Sequence, residues 1–206
     1  MRKATKTVAM WFGVSAGIAG LEHGYFEILQ GNTKPEGLMI ASMGLPCVPE
    51  EIWNACEPAM TIIRNFIVTG FLAVITGLLV LIWSALFLQR KCGGLILILL
   101  SVMLLLFGGG LFPPLIGIVG GVAGTKINKP VSREQTGTML RIGTALWPWP
   151  LVIFMSWIIG QWPVGYFFND FMQTAMYFGL FLIFITLPLS VYTAYAYDVQ
   201  TALKGK

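Results

Sequence analysis

Charged residues in this chain fall between its long apolar runs and hardly ever within them. That placement narrows the choice of fold more than any other feature. Several runs extend for about twenty residues with almost no charge, enough to cross a hydrocarbon core of roughly 30 Å as helices. Across 206 residues, charged side chains make up 11% and hydrophobic ones 56%, with a mean hydropathy of +0.78. Soluble domains carry about a quarter charged residues. The expected fold class is therefore an all-α integral membrane protein, a polytopic helical bundle forming one transmembrane domain over residues 1–206. The net charge of +4 and pI near 9.1 do not point to nucleic acid. The basic residues stand in short clusters beside apolar runs, where they anchor and orient spans.

A pass along the chain gives hydrophobic segments at about 7–29, 60–88, 94–108, 111–124, 144–162 and 171–195, with a long loop over 30–59. Met1-Arg2-Lys3 before an apolar run resembles a secretory leader, and Gly17-Ile18-Ala19 resembles a cleavage site. Gly13, Ala16 and Gly17 interrupt that run, however, and the pattern continues through Tyr25, Phe26, Ile28 and Leu29. A retained first helix is expected. Trp11, Trp83, Trp147 and Trp162 fall near segment ends, and Tyr192, Tyr195 and Tyr197 cluster at the end of the last one. Such rings settle at the headgroup level.

The stretch Gly94 to Gly124 decides the topology. If it crosses once, Arg2, Lys3, Lys6, Arg90 and Lys91 lie on one side and the other eight of the thirteen Lys and Arg on the opposite side. If it doubles back, only Lys34 and Arg64 are left outside. Basic residues near spans stay on the cytoplasmic side, so a central hairpin with both termini cytoplasmic is expected. Gly108-Gly109-Gly110 followed by Pro113-Pro114 is the matching turn signal, and Pro suits the first turn of the following helix. Each arm is short, about 20 Å at 1.5 Å per residue. The hairpin is thus either two short spans or a re-entrant loop, and a re-entrant turn must be buried in protein or face a water-filled cavity.

Few residues offer chemistry. Glu22, His23 and Glu27 are ionisable groups within the first segment, where charge is costly and usually serves a purpose. His23 and Glu27 are four apart and share a helix face with Gly13, Ala16, Gly17, Gly20 and Gly24. Glu22 points about 100° away. Arg64 and Asn65 sit at a similar depth, so a pairing of Arg64 with Glu27 or Glu22 is expected, with His23 nearby. Cys47 and Cys56 in the 30–59 loop are candidates for a disulfide, while Cys92 stands beside Lys91.

No H-E-x-x-H, nucleophile elbow, Walker loop or dinucleotide fingerprint is present. A lone His cannot furnish a His-rich metal site. No catalytic residue, metal or cofactor is assigned, and an enzyme is not expected. The leading expectation is a structural or accessory membrane subunit of the cell membrane, packing against lipid and against copies of itself or a membrane partner. The alternative is a small channel or transporter using the Gly108–Pro114 turn and the Glu/His/Arg cluster.

Overall fold

The computed structural model describes residues 1–42, 57–130 and 137–204. Seven α-helices follow one another among them: α1 (Lys3–Leu29), α2 (Phe66–Ile82), α3 (Gly93–Leu106), α4 (Phe112–Gly124), α5 (Thr138–Leu146), α6 (Trp149–Phe167) and α7 (Asn169–Lys204). A π-helical turn, Trp83–Phe87, extends α2. Two short strands, β1 (Met39–Ala41) and β2 (Pro58–Met60), pair antiparallel between α1 and α2. Three helical stretches are long and apolar enough to cross a membrane: Phe66–Phe87, Thr138–Phe167 and Asn169–Leu203. The helices α3 and α4 are apolar but shorter. α1 is long but carries Lys3, Lys6, Glu22 and Glu27, and it is not among the three.

α1 is the hub, and small residues let its neighbours approach it. The buried positions of α2, namely Phe66, Thr69, Gly70, Ala73, Thr76, Gly77 and Val80, follow the three-and-four spacing of a packed helix face. Gly70 and Gly77 repeat at seven residues, as do Gly17 and Gly24 on α1. A Cβ on Gly24 would stand 2.7 Å from the Gly70 carbonyl oxygen, and one on Gly70 would stand 2.7 Å from the Gly24 oxygen. The two backbones are in contact, as small-residue seams permit between membrane helices. On the other side of α1, a Cβ on Gly120 would lie 2.9 Å from Phe12 Cβ and 3.1 Å from the Ala9 oxygen.

The central apolar stretch doubles back. α3 ends at Leu106, and α4 starts at Phe112. A Cβ on Gly94, near the start of α3, would meet the Gly121 oxygen of α4 at 2.5 Å. Entry and exit of the hairpin therefore lie together. Pro113 and Pro114 occupy the first turn of α4, where a missing N–H costs nothing.

The same end of the bundle gathers both termini. Arg2 N donates to the Ile127 carbonyl at 2.9 Å. The α1 N-terminus has no cap of its own; Asp198 of α7 accepts from Ala4 N at 3.0 Å, Thr5 N at 2.8 Å and Thr5 Oγ1 at 2.8 Å. Hydrogen bonds to a charged acceptor contribute about 1.5–3 kcal/mol, so this long-range cap fastens α7 to α1. Lys6 and Asn128 both reach Gln89. Arg2, Lys3, Lys6, Arg90, Lys91, Lys126 and Lys129 thus share one end, whereas Lys34 and Arg64 line a cavity together at the other.

Several segment bounds differ from the sequence reading. Met60 belongs to β2 and the second long helix starts at Phe66, because the backbone from Pro58 to Ile62 is engaged in other pairings. The fifth segment splits into α5 and α6 around Trp147-Pro148. Proline pushes its preceding residue to extended backbone, and Trp147 has ψ 134°. Pro163 does not end α6, which continues to Phe167. So near a C-terminus, proline removes a single hydrogen bond while the rest of the turn persists. α7 packs on α6 and runs its full 36 residues, about 54 Å at 1.5 Å each.

The glycine seam is directly testable. Gly70→Val should destabilise the protein by about 1–3 kcal/mol through overpacking, read as a lower melting temperature in detergent. Gly160→Val, which meets nothing within 4 Å, should leave melting nearly unchanged. Equal effects at the two sites would refute the seam.

Candidate functional site

The two candidate sets singled out in the sequence, the ionisable cluster and the glycine turn, meet in one place. His23 and Glu27 share the face of α1 that carries Gly20 and Gly24, and all four are buried. The chain segment Gly108-Gly109-Gly110 folds over them. A Cβ on Gly108 would run into both carboxyl oxygens of Glu27, and one on Gly110 would lie 2.6 Å from His23 Nε2. Both glycines have positive φ, +90° and +82°, a backbone region that side chains resist. Only glycine satisfies both demands here.

The turn is closed by protein. Gly108 N donates to the Met60 oxygen at 2.9 Å, Ile62 N to Leu106 O at 3.0 Å and Gly109 N to Leu104 O at 2.9 Å. Thr69 Oγ1, from the first turn of α2, donates to the Phe107 oxygen at 2.8 Å and contacts Thr61 Oγ1 at 2.5 Å. The residues just after β2 therefore satisfy the backbone that the helix break leaves open. Gly108, Gly109, Gly110, Pro113 and Pro114 are all buried.

The charged partner of the cluster differs from the expected one. His23 Nε2 lies 2.9 Å from Glu57 Oε2, and His23 Nδ1 lies 2.6 Å from Ser42 Oγ. Ser42 in turn bonds the Glu57 carbonyl through its N–H at 3.1 Å and its hydroxyl at 3.2 Å. Gln30, one turn beyond Glu27, holds the Ala41 and Ser42 carbonyls at 3.1 and 2.6 Å. The β1–β2 ribbon is thus pinned over the end of α1, with Ser42 and Glu57 delivered to His23.

Arg64 does not bond Glu27, because neither Glu27 oxygen has a hydrogen-bond partner among the described residues. The neighbouring Thr69 hydroxyl gives its proton to Phe107 instead. Arg64 lies before α2, lining a cavity of about 430 Å³ with Lys34 and Glu36. Asn65 serves as the α2 cap, accepting from Val68 N at 3.1 Å, and it also donates to Asn32. These two residues are drawn out of the cluster by local capping and loop geometry, which helical spacing alone does not reveal.

The Ser42–His23–Glu57 chain accommodates two protonation states with both ring nitrogens of His23 bonded. With a neutral ring, Nε2–H faces Glu57 and the Ser42 hydroxyl donates to Nδ1. With an imidazolium, Nδ1–H donates to Ser42 Oγ, and the hydroxyl turns to the Glu57 carbonyl. Both arrangements use donors and acceptors already in place.

A cavity of about 260 Å³ opens beside this chain, between α1, α4, α6 and α7. Its polar wall is Glu22, His23, Glu57 and Gln161; its apolar wall includes Phe112, Trp157, Met176 and Ile183. Glu22, placed by helix geometry away from His23, nonetheless faces the same space. Neither Lys nor Arg lines it. Ser42, Glu57, Thr69 and Gln161 were missed in the sequence. Glu57 and Gln161 carried a faint signal, one as a loop acid beside Pro58 and the other as a polar residue inside an apolar run. Cys47 and Cys56 lie outside the described residues, and Cys92 is an exposed free thiol. Among the described residues, no group of three His, Cys, Asp or Glu is placed as a set of metal donors.

Comparison of the chain with protein-family models, with curated proteins and with solved structures gives no match.

Gly108→Ala combines a positive-φ penalty of about 1–2 kcal/mol with a clash on Glu27. It should lower the melting temperature strongly, and Gly108→Ala combined with Glu27→Ala should recover part of that loss. No recovery in the double variant would separate the turn from the carboxyl.

Proposed function

We propose that this protein is a small membrane channel or transporter whose crevice between α1, α4, α6 and α7 takes an organic cation with an apolar body. One observation supports this reading above the others: His23 and Glu57 line a cavity that reaches the α4 end of the glycine–proline turn. Glu22 and Glu57 would receive the positive head, and Trp157, Met176 and Ile183 would pack the apolar part. Pockets of this kind fix a ligand by a few convergent polar groups within apolar walls.

The site carries its own exchange logic. An imidazolium at His23 occupies Glu57 and opposes a second positive charge. Entry of a cation therefore favours the neutral ring, and a proton leaves as the cation arrives. Glu22 of α1 and Glu57, just before β2, are the acids that line the cavity among the described residues.

The test uses benzyltrimethylammonium and its neutral carbon isostere neopentylbenzene, measured by thermal shift of the detergent-purified protein. The cation should stabilise the wild type at pH 7.5 and the isostere should not. Glu57→Gln should weaken cation binding at least about tenfold, the loss of one charged contact. Equal stabilisation by both compounds, or an unaffected Glu57→Gln variant, would sink the assignment.

The same reading places both termini and the basic end in the cytoplasm of a cell with this protein in its plasma membrane, and the 30–59 loop outside. Six hydrophobic helices then enter the bilayer, with α3 and α4 as a re-entrant pair. Phe112 packs on Phe184 with ring centroids 6.1 Å apart, and α7 continues from there to Asn169, about 20 Å further. The turn is thereby set below the level reached by the α6–α7 tip. Cys47 and Cys56 form a disulfide in this scheme. An impermeant maleimide applied to intact cells should modify a cysteine at Gly37 but not one at Ser132, and Cys47 and Cys56 only after reduction. Labelling at Ser132 would invert the topology.

A second reading, an accessory subunit joined to a second copy or a membrane partner, is supported by the α6–α7 tip. Tyr166, Phe167, Phe168 and Phe171 are there 62–74% exposed. A stoichiometric partner in native mass spectrometry, together with no cation response, would favour it.

A further inference from the structure

The basic end holds a second cavity, separate from the site above. It measures about 670 Å³ and lies between the start of α1, the end of α4 and the second half of α7. Its mouth carries Arg2, Lys126 and Lys129, and its walls include Val119, Val122 and Val191. Among the described residues no acid lines it. Asp198, the nearest acid on α7 in the chain, is engaged by Ala4 and Thr5.

Arg2 is held in place rather than loose. It is 6% exposed, its Nη2 donates to the Pro130 carbonyl at 3.1 Å, and its guanidinium lies 4.6 Å over the Tyr195 ring. Lys126 and Lys129 are exposed at the rim. Tyr192 and Tyr195 stand beside them, the residue type that marks a headgroup level. Three cations at that level above an apolar trough match a molecule with an anionic head and hydrocarbon tails, and basic pockets between membrane helices bind anionic headgroups in this way.

We propose that this groove binds one anionic phospholipid, with its phosphate among Arg2, Lys126 and Lys129 and its acyl chains along Val119, Val122 and Val191. Bound there, the lipid bridges α1, α4 and α7 at the end where the termini meet. A plain apolar groove would accept any lipid; three bases at its lining select for negative charge.

The full-length protein in mild detergent is mixed with equal amounts of phosphatidylglycerol and phosphatidylcholine of identical chains, then weighed by native mass spectrometry. Phosphatidylglycerol should be retained at least tenfold over phosphatidylcholine. Lys126→Gln with Lys129→Gln should cut that preference roughly tenfold, given the attraction each base exerts on an anionic headgroup, and Lys34→Gln at the opposite end should leave it intact. Both replaced lysines are exposed, so folding is preserved, and a melting curve verifies this. Millimolar inorganic phosphate should leave the lipid adduct in place. Equal retention of the two lipids, indifference to the double variant, displacement by phosphate alone, or a dimer that excludes lipid would each overturn the proposal.

Discussion

The structure depends on how the broken backbone between α3 and α4 finds its hydrogen bonds. A chain that reverses inside an apolar environment exposes amides that lipid cannot satisfy, each at a cost of several kcal/mol. Here the debt is settled from outside the hairpin. The Met60–Ile62 segment supplies an acceptor for Gly108 and a donor for Leu106, and Thr69 covers the Phe107 oxygen. Met60 closes β2, whose partner strand is tied to Gln30 of α1. One accounting problem thus fixes the loop, the start of α2 and the end of α1 together.

Glycine is the means by which these parts come close enough. Gly17, Gly24, Gly70 and Gly77 bring α1 and α2 to backbone contact, and Gly94, Gly121 and Gly124 do the same for the hairpin. A glycine inside a helix costs about 1 kcal/mol relative to alanine. In a bilayer there is little hydrophobic drive between helices, so the return comes from close packing. The same tight approach puts the positive-φ turn directly on His23 and Glu27, leaving no room for a side chain larger than glycine's hydrogen.

Much of this architecture was legible because the physics that shapes it is local or additive. The apolar runs gave the long helices, and the sum of basic charges predicted that Gly94 and Gly124 would sit side by side. The small-residue face of α1 was visible from its spacing alone. The site's true partners were not. Which acid meets His23 depends on how a two-stranded ribbon registers over a helix end, a pairing of residues far apart in the chain. Arg64 and Asn65 were assigned to the cluster by apparent depth. Cap formation at Asn65 takes precedence over that assignment, because the first amides of α2 need an acceptor. The split at Trp147-Pro148 was likewise written in the sequence, as a proline inside the 144–162 run.

The composition of the cluster itself argues about its purpose. A role confined to holding α1 against the glycine turn would be served as well, or better, by an apolar residue at position 27. Burying a carboxyl without a hydrogen-bond partner costs free energy that a hydrocarbon side chain of similar size would not. His23, one helical turn away, is fully bonded through Ser42 and Glu57, so the fold is able to satisfy a polar group at this depth. Glu27 is instead packed against Gly108 and lies beside Thr69, without a hydrogen bond of standard geometry among the described residues. The contrast between His23, bonded through Ser42 and Glu57, and Glu27, packed against the glycine turn, is what the proposed exchange role builds on.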